Sequence, residues 1–250
     1  MPLMEEMESS GKWLFRWRSY LPLILVALFL AGLQYFSYPF GSHMLDVAWE
    51  MVCLAVSLAG LGIRILTIGY ARPHTSGRNT KKQVAESLNT SGMYSIVRNP
   101  LYLGNFLVGL GPAMFLRVWW IPVIYLLLFM LYYERIVFTE EMFLRRKFGQ
   151  AYLDWASRTP AFLPRWRQWH AAEQKFSFRK ILRHEHQTLF GIIVAFYAIE
   201  TVTEVEMGNW PRFDIAWPDP VWNILLAIGL VVFVVIRVLR KVTTLLRDES

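Results

Sequence analysis

Two polar clusters interrupt a chain that is otherwise built of long apolar runs. The first is Gly92-Met-Tyr94-Ser-Ile-Val-Arg98-Asn99-Pro100-Leu-Tyr102-Leu103-Gly104, an aromatic, turn-forming stretch that runs straight into an apolar segment. The second is Glu134-Arg135 with Glu140-Glu141, at the end of the next apolar run. Asn99-Pro100 is a helix-start signal, with Pro100 suited to the first helical position. Arg98 and two tyrosines then sit on the mouth of a helix at a membrane boundary. Such residues either anchor the chain at the headgroup level or line a polar site. The second cluster favours the site.

The elements that must position these clusters follow from composition. The chain has 250 residues, 55% of them hydrophobic and 16% aromatic, with a mean hydropathy of +0.32. That is too apolar for an ordinary soluble domain and indicates a polytopic membrane protein. Cys53 is the one cysteine, which excludes an internal disulfide and a cysteine metal site and leaves a buried, inert thiol. No glycine-rich dinucleotide fingerprint and no Walker loop appears, and there is no internal repeat. The polar leader carries Lys12, Arg16 and Arg18 before an apolar run without a convincing cleavage signature. It reads as a retained first span and not a signal peptide.

Six apolar runs approach the roughly 17–25 residues of a span: about 21–38, 47–70, 101–116, 119–137, 188–203 and 221–239. The third and fifth are short. With no alternating barrel pattern, and with backbone groups needing internal partners in hydrocarbon, the expected fold is all-α: a transmembrane helical bundle of about six spans. Of the 26 lysines and arginines, 23 fall on one side of this layout, against Arg117 and Arg212 on the other and Arg64 within the second span. The positive-inside rule places both termini and both long basic loops in the cytoplasm. The net charge of +7 is therefore mostly topology, with attraction to anionic headgroups, and not a nucleic-acid signal.

Both polar clusters land on that cytoplasmic side. A tight turn near 117–120 makes spans three and four an antiparallel hairpin, so Arg98–Gly104 and Glu134–Glu141 are expected to be neighbours. Gly104, Gly109 and Gly111 permit close helix approach. The stretch from Glu140 to Tyr152, with Met142, Phe143, Phe148 and Tyr152 as its apolar positions, reads as an amphipathic helix folded back over the hairpin. Arg145-Arg146-Lys147 suits a solvated or lipid-facing basic face.

Taken in order, Gly92 to Gly104, Arg135-Ile-Val-Phe-Thr-Glu140-Glu141, Phe148-Gly149-Gln-Ala-Tyr152 and Pro160-Ala-Phe-Leu-Pro164 resemble the integral-membrane methyltransferases. That family includes isoprenylcysteine carboxyl methyltransferases and phospholipid methyltransferases, and the resemblance covers roughly residues 45–166. Each piece is weak alone; their order and spacing are more specific. One departure is Asn99, where the family usually has histidine. Asparagine keeps a turn former and a hydrogen-bonding amide but cannot titrate.

The resemblance implies S-adenosyl-L-methionine as cofactor, without a Rossmann fold and without a metal. Tyr94, Arg98, Asn99, Pro100, Tyr102, Leu103 and Gly104 would line one side of its pocket, and Glu140 and Glu141 would close the other. Arg135 would face the acceptor, and Arg135, Arg98 and Glu140 would carry the catalysis. Methyl transfer is an in-line displacement that needs alignment and exclusion of water. A phosphate or carboxylate acceptor is already ionised and needs a cationic partner, for which arginine is suited; an amine would have to lose a proton. The preferred acceptor is a lipid phosphate, in line with a similarity to the bacterial branch that methylates the 1-phosphate of lipid A. That places the chain in a bacterial inner membrane with its site facing the cytoplasm. A prenylcysteine carboxylate and phosphatidylethanolamine are the alternatives within the class. An NADPH-dependent membrane reductase or a non-enzymatic scaffold are the alternatives outside it.

The expected division is 1–44 for leader and first span, 45–166 for the methyltransferase core, and 167–250 for an interfacial segment and a second helical hairpin. That hairpin reads as a lipid-side wall or a dimer surface. Arg64 either snorkels to the interface or faces the site. His184 and His186, flanking Glu185, sit two apart and so do not share a helix face, which argues against a metal site and leaves headgroup contact as their reading.

Overall fold

The computed structural model describes residues 2–17, 20, 22–37, 40, 42–72, 85–208 and 217–242. Arg18, Arg78, Lys81, Lys82, Arg212 and Arg247, which entered the charge count, lie outside the described residues. The described residues are all-α. The helices are α1 (Leu3–Trp17), α2 (Pro22–Gly32), α3 (His43–Gly69), α4 (Met93–Ile96), α5 (Pro100–Met114), α6 (Trp120–Phe148), α7 (Gln150–Arg158), α8 (Phe178–Glu206) and α9 (Pro220–Val242). Four of them, α3, α6, α8 and α9, are long and apolar enough to cross a membrane. The first and third expected spans form helices of only 11 and 15 residues. At 1.5 Å per residue α5 is about 22 Å long, short of a bilayer core of about 30 Å.

Packing between α3 and α5 is the tightest in the bundle, and glycine makes it possible. A Cβ at Gly104 would lie 2.5 Å from Arg64 Cγ and 2.9 Å from the Gly60 carbonyl oxygen. A Cβ at Gly111 would likewise meet the Cys53 carbonyl oxygen and Ser57 Oγ. Gly109 faces the other way, onto Tyr125 of α6. Small residues thus let α5 lie between two long helices. Cys53 is fully buried in this core, and Ser57 donates to the Val108 carbonyl at 2.9 Å.

The remaining elements enclose this centre. Pro100 starts α5 as expected, and Arg117, at φ 58°, sits in the turn before α6. Its guanidinium pairs with Asp46 and the Ser37 carbonyl. The α8–α9 hairpin packs on α3: Phe196 stacks on Trp222 at 5.3 Å, and Trp222 donates to Glu50 of α3 at 2.9 Å. The outer face of α9 leaves Ile224, Ile228 and Val231 exposed, as lipid contact requires. The leader is helical too. Helix α1 lies along α6, with Phe15 against Tyr132, Tyr133 and Ile136 and Glu8 paired with Arg146.

Candidate functional site

The site forms where the α5–α6 hairpin ends. Helix α6 has 29 residues, about 44 Å at 1.5 Å per residue, longer than a bilayer core of about 30 Å. Glu140 and Glu141 ride on its last, polar turns. The sequence suggested a new helix beginning near Glu140; instead α6 continues to Phe148. The chain breaks at Gly149, whose φ of 54° suits glycine, and only then does α7 begin.

Against these carboxylates lies the loop that precedes α5. Tyr102 donates to Glu140 Oε1 at 2.6 Å, and Arg98 Nε lies 3.3 Å from Glu141 Oε1. Both ionic partners are only partly exposed, at 21% and 24%, so the pair is screened less than a surface bridge. Tyr152 of α7 is buried beside Arg98 and Glu141. Burial, and then the Glu141 charge, push its phenol pKa up. Tyr94 is pushed up in the same way, by burial and then by Glu140. Both phenols therefore stay neutral through the physiological range and can only donate or accept hydrogen bonds.

A strap holds this loop in place. Arg98 N donates to the Pro160 carbonyl at 2.8 Å, Arg165 N to Ile96 at 3.0 Å, and Gly92 N to His170 at 3.0 Å. The Asn99 amide reaches the Ala161 carbonyl at 3.3 Å, and the Trp155 indole donates to the Tyr94 carbonyl at 3.1 Å. Ser95 Oγ accepts from His170 N at 3.0 Å, and Ser91 Oγ from Glu173 N at 3.3 Å. Gly92 N, Ile96 O and Arg98 N are thus satisfied from residues 160–170, and the Tyr94 carbonyl by Trp155. These bonds run on past residue 166, where the sequence reading ended the core.

The expected site residues divide by what they touch. Tyr94, Arg98, Tyr102, Glu140 and Glu141 converge with their polar groups. Asn99 and Pro100 shape the entry of α5, Leu103 packs with Met93, Ile96 and Val97, and Gly104 turns its Cα towards α3. Arg135 stands apart. It is exposed on α6, five positions before Glu140 and so about 140° around the helix. Among the described residues its side chain makes no hydrogen bond or ion pair. Its backbone carbonyl lies beneath Gly11 of α1.

Besides Tyr152, four residues outside the expected set join the candidate site: Tyr133, Asn105, Arg64 and Glu185. Tyr133 lies seven positions before Glu140, about 20° away on the same helix face, and its ring is 4.6 Å from that of Tyr102. Asn105 Nδ2 donates to Tyr133 Oη at 3.4 Å. Behind them Arg64, for which two orientations were open, faces inward. It donates to Asn105 Oδ1 and bidentately to Glu185 of α8, at 2.8 and 2.7 Å. The headgroup role expected for the histidines fails for His186, which is 6% exposed with its ring 5.6 Å from Phe233. The heptad spacing of Tyr133 and Glu140 was visible in the sequence; the Arg64–Glu185 pairing, across 121 positions, carried no local signal.

Residues 51–151 match the model of a family described as phospholipid methyltransferase. The cobalt-zinc-cadmium resistance protein CzcN of Cupriavidus metallidurans is 33% identical over 144 residues, covering 57% of this chain and 61% of that protein. The nickel-cobalt-cadmium resistance protein NccN of Alcaligenes xylosoxydans xylosoxydans is 33% identical over 153 residues, 60% of this chain and 63% of that one. The protein-S-isoprenylcysteine O-methyltransferase of Schizosaccharomyces pombe is 29% identical over 85 residues, 34% of this chain and 36% of the enzyme. The aligned region thus spans about three fifths of the length of the two resistance proteins. No solved structure matches the chain.

Proposed function

We propose that this integral membrane protein, which carries the phospholipid methyltransferase pattern over residues 51–151, transfers a methyl group from S-adenosyl-L-methionine to a membrane lipid. The observation that carries the reading is the convergence of Tyr102 on Glu140 and of Arg98 on Glu141 at one end of the bundle. The donor set suits that cofactor: carboxylates accept from ribose hydroxyls and an ammonium group, and an arginine meets a carboxylate. Tyr94 and Tyr152 supply neutral phenols around them, and Tyr102 donates to Glu140. Bound there, the cofactor would supply the electrophilic methyl group. The chain's own part is to bind, orient and exclude water.

For the acceptor we propose a lipid phosphate on the cytoplasmic side, of which the 1-phosphate of lipid A in a bacterial inner membrane is one example. A phosphate oxygen needs no general base, which agrees with an asparagine at position 99. A phosphate monoester carries about −1.5 to −2 charges at neutral pH, and methylation leaves one. Removing headgroup charge lowers divalent-cation binding at the surface, which links lipid methylation to the metal resistance in the relatives' names. Arg135, exposed and directed away from Glu140, would meet the headgroup from the membrane side and not at the reacting atoms. Prenylcysteine carboxylate and phosphatidylethanolamine would enter by the same route.

The test is ligand stabilisation of the purified protein, since a ligand that binds only the folded state raises its melting temperature. S-adenosylhomocysteine should raise it in a saturable way and NADPH should not. Stabilisation by NADPH alone would overturn the assignment in favour of a reductase. Mass spectrometry of lipids from cells with and without the gene then identifies the methyl ester.

A further inference from the structure

We infer that Glu185, on the C-terminal hairpin, is a positioning residue for the Tyr102–Glu140 pair and acts through Arg64, Asn105 and Tyr133. This rests on the reading that the pocket binds the methyl donor. Glu185 lies beyond residue 151, where the family match ends, so the site is completed by a segment outside the matched core.

The path is continuous. Glu185 is 2% exposed and holds Arg64 through two hydrogen bonds of 2.8 and 2.7 Å. That grip leaves Nη1 of Arg64 directed at Asn105 Oδ1. An amide carries an acceptor at one end and donors at the other. A cation fixed on Oδ1 therefore forces Nδ2 outward, and Nδ2 meets Tyr133 Oη at 3.4 Å. Tyr133 in turn lies against Tyr102 at 4.6 Å between ring centroids, and Tyr102 donates to Glu140 at 2.6 Å.

A plain staple between α3 and α8 explains less. Taking two charges out of solvent is costly, and replacing a buried ion pair by well-packed apolar residues is often neutral or stabilising. An apolar contact would join the helices without that cost. It would not set the direction of the Asn105 amide. The fit around Arg64 is also tight: its Cγ occupies the space a Cβ at Gly104 would need, 2.5 Å away. From there the side chain runs along α5, and its Nη1 donates to Asn105.

Two variants of the full chain in nanodiscs test the inference. Asn105→Leu cuts the path and leaves the ion pair intact. The double variant Arg64→Met/Glu185→Met removes the pair at similar volume. Each is read three ways: melting temperature, the 19F resonance of 3-fluorotyrosine at position 102, and S-adenosylhomocysteine affinity. The expected result is a melting temperature near wild type for at least one variant, with its 19F signal shifted and its affinity at least tenfold weaker. A folded variant with the wild-type 19F signal and affinity would overturn the inference and reduce the pair to a fold element. If the wild type itself fails to bind S-adenosylhomocysteine, the methyl-donor reading falls, while the 19F comparison still judges the path from Glu185 to Tyr102.

Discussion

Glu140→Gln isolates one charge at the site with little change of shape. In the wild type a phenol donates to a carboxylate at 2.6 Å, a charge-assisted bond at the short end of the normal range. The glutamine oxygen still accepts from Tyr102, so the local arrangement survives while the negative charge is lost. Hydrogen bonds to charged groups contribute about 1.5–3 kcal/mol, so if Glu140 holds a hydroxyl or ammonium group of the methyl donor, affinity should fall about 10–150-fold. Glu140 is only half-buried, which puts the expectation towards the lower end. The assay is calorimetric titration of S-adenosylhomocysteine into wild type, Glu140→Gln, Tyr102→Phe and the double variant. If Tyr102 works by orienting Glu140, the double variant should bind no worse than Glu140→Gln alone, as residues acting on one contact are not additive. Wild-type affinity in both Glu140→Gln and Glu141→Gln would refute the pocket assignment.

Gly104→Ala should destabilise the bundle by about 1–3 kcal/mol, since its Cβ would lie 2.5 Å from Arg64 Cγ and 2.9 Å from a backbone oxygen of α3. Gly62→Ala, with nothing within 4 Å of its Cβ, should be neutral or gain up to about 1 kcal/mol from helix propensity; denaturant melts of the two variants side by side check this. Arg135→Ala should raise the KM for an anionic lipid about fivefold, the equivalent of about 1 kcal/mol for a cation at the membrane surface, and leave S-adenosylhomocysteine affinity unchanged. Hydrogen bonds from Arg146, and then Lys12, hold the Glu8 carboxyl below the usual carboxylate range. A lowered folded pKa contributes docking of α1 that is complete above about 4.3, the usual glutamate value, and is lost as pH falls through the lowered pKa. Tryptic cleavage after Lys12 or Arg16 should therefore be faster in Glu8→Gln at neutral pH, and salt should narrow the difference.

Much of the architecture was legible because hydrophobic length and charge asymmetry act over whole segments. The four long helices, the start of α5 at Pro100 and the meeting of its N-terminus with Glu140 follow from run lengths, a proline and connectivity. Helix ends were less legible. The carboxylates at 140 and 141 resemble a polar break, yet i to i+4 backbone bonding carries α6 through them to Gly149, where a positive φ stops it. Helix α1 was hidden for another reason: its apolar residues fall in two groups, Leu3, Met4 and Met7 and then Trp13, Leu14, Phe15 and Trp17, on either side of a polar stretch, and it is recognisable as part of the fold only once Phe15 has a partner on α6.

Phase around a helix decides what a motif can do, and the sequence shows phase without showing which face is inward. Arg135 and Glu140 share a motif but not a face; Tyr133 and Glu140 share a face without an evident motif. Gly104 shows the same limit from the other side. The resemblance put it among the residues lining the cofactor pocket, and its spacing with Gly109 and Gly111 marked it for close helix approach. In the fold the space it frees is taken by Arg64, whose charge is balanced by Glu185 from a segment far along the chain. The glycine therefore acts on the site indirectly. It admits the arginine that fixes Asn105, and Asn105 reaches the tyrosine beneath Tyr102. A buried ion pair of this kind can be inferred only when both partners are seen, because each alone is an expensive charge in an apolar helix. On the proposed reading, Arg64 and Glu185 would be the long-range half of a site whose local half lies in residues 92–104 and 140–141.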